Sequence, residues 1–257
     1  MVEIVDEVKK EFVKDLISKG KRPSTRAFDE MRKITIERDV LTTTEGSARV
    51  HWGKTQVLVG VKIGMGTPFP DKPTEGVLST NAELLPLASP TFEMGPPDAT
   101  SIELARVVDR GIRHSGALDL ASFFVEKDKV LCIYVDIYVL DHDGNLIDAS
   151  ALAAMAALMS TKMPRVKDGA IVPGQTDGML KIGSKVVATT FAKIGNTIVV
   201  DADLDEEKAV AARITISTTK EHICSMQKGL NGGFTRDEVA NLIDLAFKKG
   251  DELRALL

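Results

Sequence analysis

The chain opens on a helical pattern. Ile4, Val5, Val8, Phe12, Leu16 and Ile17 recur at helical spacing over residues 2–19, and Gly20 stops the run. This predicts a helix that docks on the domain or on a partner. The period then changes. KITIERDVL and SARVHW alternate apolar and polar positions, and TQVLVGVKI is more continuously apolar, with Gly46 and Gly53-Lys54 as turn signals. An antiparallel meander is predicted. Residues 64–100 hold most of the prolines and no long periodicity, which marks a functional loop or a partner-binding surface, with GVLST as a short strand inside it.

A helix is predicted from near Thr100, where Thr100 and Glu103 have capping-box spacing; Ile102, Ala105, Val108 and Ile112 form its apolar side, and Gly116 ends it. VLCIYVDIYVL, DHDGN and LIDAS read as a hairpin about an Asp-Gly turn. ASALAAMAALMSTKM is apolar nearly all round, so the helix it forms should lie between layers. SKVVATTFAKI and NTIVVDADL predict a hairpin about Gly195-Asn196, and RITISTT and EHICSM another about Lys220. FTRDEVANLIDLAFKKGDELRALL is a closing helix with a capping box at Thr235 and Glu238. Strands followed by a helix occur twice, which predicts an α+β protein of two related lobes, residues 21–170 and 171–257, behind an N-terminal helix over 1–20.

The composition narrows the function. The 257 residues are 44% hydrophobic and 27% charged, ample for a core without disulfides or metals, but only 5% are aromatic, so that core is aliphatic. The net charge of -4 argues against a general nucleic-acid coat and leaves a local basic patch open. Cys132 and Cys224 lack partners at ligand spacing and read as free thiols of a reducing compartment. With an acidic, amphipathic opening and no apolar run near the ~20 residues of a membrane span, a cytoplasmic protein without membrane contact is expected.

The clearest chemical feature is Arg106, Arg110 and Arg113, which fall within roughly 60° of arc on one helix, away from its apolar side. They form either a solvated face, ion-paired to Glu103 and Asp109, or a phosphate-binding stripe, to which the guanidinium fork is suited. His51, His114, His142 and His222 are scattered, without a nucleophile beside them, and no Walker A or dinucleotide loop occurs, so no cofactor is expected. The acids of DADLDEE, 201–207, are either a solvated segment or oxygen ligands of a divalent ion; the latter makes the chain a metal-dependent hydrolase using Asp201, Asp203 and Asp205.

GSARVHWGKTQVLVGVKI and IELARVVDRGIRHSGALDL resemble the opening strands and the arginine-bearing helix of RNase PH-like phosphorolytic exoribonucleases. PFPDKPTEGVLSTNAELLPLASPTFEMGPPDATSIELARVVDRGIR resembles one branch of them, the non-catalytic RNase PH-like ring subunits of the archaeal exosome. The resemblance implies an RNase PH-like fold and a hexameric ring, a trimer of heterodimers with a catalytic RNase PH-like subunit. It also implies RNA-binding cap subunits on one face and single-stranded RNA threading the pore. Active members carry a phosphate-binding turn of the type DGGTR; here it reads Asp143-Gly144-Asn145-Leu146-Ile147, so the Thr and Arg positions hold Leu146 and Ile147. Their pattern of spaced carboxylates, like ED-x5-D, matches residues 206–213, where Glu207 stands for the first acid and Arg213 replaces the second. A cation there can neither hold a metal ion nor relay a proton. The resemblance thus implies no catalytic residues in this chain. It retains Arg106 and Arg110, with Arg113 beside them, as contacts to the RNA backbone near the neighbouring subunit's active site. An active phosphorolytic exoribonuclease is the alternative.

Overall fold

The computed structural model describes residues 2–257, with side chains from residue 7 onward. Three strands, β1 (Ile34–Arg38), β2 (Gly46–Trp52) and β3 (Thr55–Gly66), form the predicted meander. β4 (Val77–Leu84) lies in the Pro-rich region and begins with the VLST of GVLST; it runs parallel to β6 (Lys129–Asp141), which itself pairs antiparallel with β3. With the short β5 (Phe124–Glu126) on the end of β6, these strands make a sheet of order β1-β2-β3-β6-β4. β7 (Lys162–Lys167) and β8 (Ala170–Met179) form a separate hairpin. The predicted hairpins of the second half are β9 (Val187–Ile194) with β10 (Thr197–Val200), and β11 (Ala212–Thr218) with β12 (Ile223–Gly229), joined into a sheet of order β10-β9-β11-β12.

Two helices fill the space between the sheets. α3 (Leu146–Met159) packs on β2 and β3 on one side and β9 on the other, and α2 (Ala99–His114) bridges β4 and β12. α3 is apolar all round because both of its sides meet a sheet: Leu152, Met155 and Leu158 are fully buried, and the alanines between them let the strands approach closely. α5 (Arg236–Arg254) covers the outer face of the second sheet, its start fixed by Thr235 accepting from the Glu238 N–H. α4 (Leu204–Ala209) follows β10, and α1 (Val2–Ser18) seats against α4. None of the described helices is long and apolar enough to cross a membrane.

Several elements differ from the sequence reading. DHDGN is not a hairpin turn, and LIDAS does not return as a strand. Asp143–Asn145 turns the chain directly from β6 into α3. Gly144 (φ +84°) and Asn145 (φ 57°) adopt left-handed conformations there, and a Cβ on Gly144 would lie 2.6 Å from the Ala202 carbonyl oxygen. Asp-Gly marks a tight reversal; the helical run behind it decides what the reversal connects. Gly46 opens β2 rather than a turn. The N-cap of α2 is Asp98, which accepts the Ser101 N–H at 2.8 Å, so Thr100 sits in the first turn. The inner face of α2 is Leu104, Ala105, Val107, Val108 and Ile112, while Ile102 is 48% exposed. On α1, Val13 and Ile17 are buried, whereas Val8 and Phe12 are exposed. The side chains of Ile4 and Val5 fall outside the described residues.

Candidate functional site

The residues singled out around the two degenerate motifs converge. A pocket of ≈ 100 Å³ opens between the two sheets. Leu146 and Ile147 of α3 wall it, with Glu207 of α4, Arg213 of β11, Glu103 of α2, and His142 stacked on Phe92 at 5.2 Å between ring centres. Where phosphate would meet the first turn of α3, Leu146 and Ile147 present hydrocarbon. The Asn145 N–H donates to Glu207 Oε1 at 2.8 Å. Glu207 therefore holds with its own carboxylate a backbone donor that an anion would otherwise use. Burial raises the Glu207 carboxyl above the usual carboxylate range, against the opposing pull of that hydrogen bond and of Arg213. Arg213 Nη2 pairs with Glu103 Oε2 at 3.0 Å. Of the two carboxylates in the pocket wall, Glu207 is bonded to the backbone and Glu103 to the Arg213 guanidinium, an arrangement that does not suit a metal ion. His142 accepts from the Gly144 N–H at 3.3 Å, and burial lowers its pKa, which keeps the imidazole neutral at pH 7.

The turn beneath the pocket is held by a charged frame that the sequence did not reveal. Asp201, fully buried, accepts from Arg32 Nη2 at 2.6 Å, Arg26 Nη1 at 2.9 Å and Asn145 Nδ2 at 2.9 Å. Burial pushes its carboxyl up, but the hydrogen bonds and charge of Arg32 and the charge of Arg26 outweigh this and hold it below its ordinary value. Arg32 also donates to the Asp143 carbonyl at 2.6 Å, clamping the turn to the second sheet. Arg22 and Glu206, both with side chains 0% exposed, form a two-pronged pair at 2.7 and 2.6 Å. Asp203 caps α4, and Asp205 pairs with Lys9 of α1 at 3.0 Å. Asp201, Asp203 and Asp205 thus face three different sets of partners. Among the described residues no group of three His, Cys, Asp or Glu is placed to hold a metal.

The arginine stripe is not uniform. Arg106, Arg110 and Arg113 are all exposed on α2. Arg113 is committed to Asp109 through two contacts of 2.9 Å and to the Leu78 carbonyl at 3.0 Å. Arg110 has, among the described residues, only one side-chain hydrogen bond, to the neutral Gln227 of β12 at 3.2 Å. Arg106 has no hydrogen-bond or ion-pair partner among the described residues. Gln227 escaped the sequence reading because a single amide in an alternating strand carries no periodic signal; its role comes from the packing of β12 on α2.

The comparisons agree with this architecture. Domain 1 of the 3′ exoribonuclease (RNase PH) family matches residues 30–164, and domain 2 matches residues 185–249. The exosome complex component Rrp42 of Thermococcus gammatolerans is 48% identical over 262 residues, covering 100% of this chain and 96% of the relative. Rrp42 of Methanothermobacter thermautotrophicus is 46% identical, covering 98% and 95%. The fold superposes on a chain of the Archaeoglobus fulgidus exosome with RNA bound to the active site, with a TM-score of 0.91 at 43% identity over 98% of both chains. It matches rice Rrp46 with a TM-score of 0.69 at 16% identity, covering 91% of this chain and 97% of that one, a likeness of fold alone. The chain belongs to the RNase PH family of 3′ exoribonucleases, among the relatives named Rrp42.

Proposed function

We propose that this chain is a non-catalytic, RNA-positioning subunit of an exosome-type complex that degrades RNA from its 3′ end with phosphate. On this reading it alternates with a catalytic RNase PH-like subunit in a hexameric ring, a trimer of heterodimers. RNA-binding subunits cap one face of the ring, and the complex works in the cytoplasm. The chain divides into an N-terminal segment 1–20, which carries α1, and the lobes 21–170 and 171–257. Arg106 and Arg110 grip phosphates of single-stranded RNA beside the neighbour's active site, and no residue of this chain performs chemistry. Arg113 is dropped from the grip, because its guanidinium is taken by Asp109 and Leu78.

The pocket carries the reading. Its apolar wall of Leu146 and Ile147 stands where active relatives would bind phosphate. The guanidinium among its lining residues, Arg213, is spent on Glu103, and Glu207 blocks a backbone N–H of the turn. Two independent losses at one site leave neither an anion cradle nor a carboxylate pair. The retained arginines project from the exposed face of α2, and contacts to phosphates position a strand without reading its sequence.

The test is release of nucleoside diphosphates from poly(A) RNA in the presence of inorganic phosphate, with the chain alone and mixed with a catalytic RNase PH-like partner. Activity only in the mixture, and dependent on this chain, is expected. Phosphate-dependent release by the chain alone would make it an exoribonuclease in its own right.

A further inference from the structure

We propose that Arg213 is a positioning residue that keeps Arg106 free for RNA by holding Glu103 away from it. The inference rests on the reading of Arg106 as a phosphate contact and adds a residue to it.

α2 carries two acids among its arginines. Glu103 precedes Arg106 by three positions and Asp109 follows it by three, a spacing at which helical side chains meet, so both acids are natural partners for the Arg106 guanidinium. Such a pair would offer phosphate a neutral surface. In the structure Glu103 turns instead toward the second sheet, where Arg213 of β11 takes its carboxylate at 3.0 Å. The other acid, Asp109, is held by both prongs of Arg113 at 2.9 Å and accepts from the Thr80 hydroxyl at 3.3 Å. Each acid on this face therefore has a cation of its own. Among the described residues Arg106 is left without a partner, and Arg110 has only a neutral amide. The Glu103–Arg213 pair is partly exposed, with side chains 35% and 26% accessible, so it contributes little to stability and can be broken without unfolding the chain.

The experiment uses the full chain assembled with its catalytic ring partner and a fluorescein-labelled oligo(A), with binding followed by anisotropy over a range of salt. Arg213→Gln is expected to weaken binding roughly three- to tenfold, the loss of one solvent-exposed contact of ordinary net strength. It should also flatten the slope of log K against log salt by about 0.7, one phosphate contact on a single strand. Glu103→Gln in the same chain should abolish that defect, and Arg213→Lys, which keeps a cation opposite Glu103, should not show it. A purely long-range effect of the lost charge makes the Glu103/Arg213 double-mutant cycle additive, and additivity overturns the proposal. A crystal structure of the Arg213→Gln chain reads the same point without RNA: Glu103 should lie within ion-pair distance of Arg106, and a Glu103 still turned away overturns the proposal. Arg106→Ala separates the two levels. If it leaves affinity and salt slope unchanged, the phosphate reading itself fails. If it lowers both while the cycle is additive, only the role of Arg213 fails.

Discussion

Asp148 makes the stability of this protein depend on pH in an unusual direction. It sits in the first turn of α3, fully enclosed, and accepts the Thr190 N–H at 2.8 Å and the Thr190 hydroxyl at 2.6 Å; that hydroxyl in turn lies 2.8 Å from Thr215 Oγ1. No cation faces it. Burial, only partly offset by the Thr190 and Asn145 hydrogen bonds, raises its carboxyl from the ordinary 3.8 to about 7. Between those two values the folded chain holds a proton that the unfolded chain has released, so folding is favoured at the acid end and loses stability as pH rises toward 7. The slope is about 1.4 kcal/mol per pH unit, for an upper bound near ~4 kcal/mol across the window. Asp148→Asn imitates the protonated form. Its carbonyl can accept from the Thr190 N–H while its amide donates to Thr190 Oγ1, which then donates to Thr215. Urea unfolding of both chains from pH 5 to pH 8 is the assay. The stability advantage of the variant should grow by roughly 3 kcal/mol over that range and flatten above it. An advantage that is constant with pH, or a variant less stable than the parent at pH 8, refutes the argument.

Four further outcomes are expected. Arg22→Met leaves Glu206 charged and fully enclosed, and urea unfolding should show a loss of about 3–5 kcal/mol. Asp98→Ala should cost about 1 kcal/mol in thermal unfolding through the α2 cap, while Thr100→Ala costs much less, because Thr100 does not cap. Arg106→Glu with Arg110→Glu should weaken RNA binding and degradation by the assembled complex while gel filtration still shows an intact assembly; unchanged degradation makes these arginines a solvated face. Ile147→Arg with Arg213→Asp should not restore phosphate-dependent degradation to the chain alone, because Glu207 still occupies the Asn145 N–H.

What could be read from the sequence follows from the range of the interaction concerned. The hairpins about Gly195-Asn196 and Lys220, the capping box at Thr235 and the enclosed Ala-rich helix depend on neighbours a few residues apart, and all are present. Asp143-Gly144-Asn145 was read as a hairpin turn because tight turns share their residues whatever they connect. The cap of α2 was placed two residues late because both Asp98 and Thr100 are capping types, and only the backbone at Asp98, extended at ψ 176°, distinguishes them. The acids at 201–207 could not be separated from a solvated run, since Arg22 lies 184 positions from Glu206 and Arg32 lies 169 from Asp201. Leu146, Ile147, Glu207 and Arg213 lie on three separate elements with no spacing rule to join them, so only the family resemblance points to the pocket.

An acidic chain that is to hold RNA must remove its own carboxylates from the place of contact, because a neighbouring acid competes with phosphate for the same guanidinium. Here the removal is done by dedicated partners on the face of α2: Arg113 for Asp109 and Arg213 for Glu103. On the proposed reading this gives the cation at position 213 two consequences at once. It takes the place of a carboxylate that phosphorolysis would require, and it gives the carboxylate of α2 a partner across the sheet. Loss of one of the two catalytic features and gain of a clean phosphate-binding face would then stem from one substitution. On the same reading Arg213→Asp in this chain would lose that face without regaining chemistry, since an acid at position 213 would leave Glu103 to turn on Arg106.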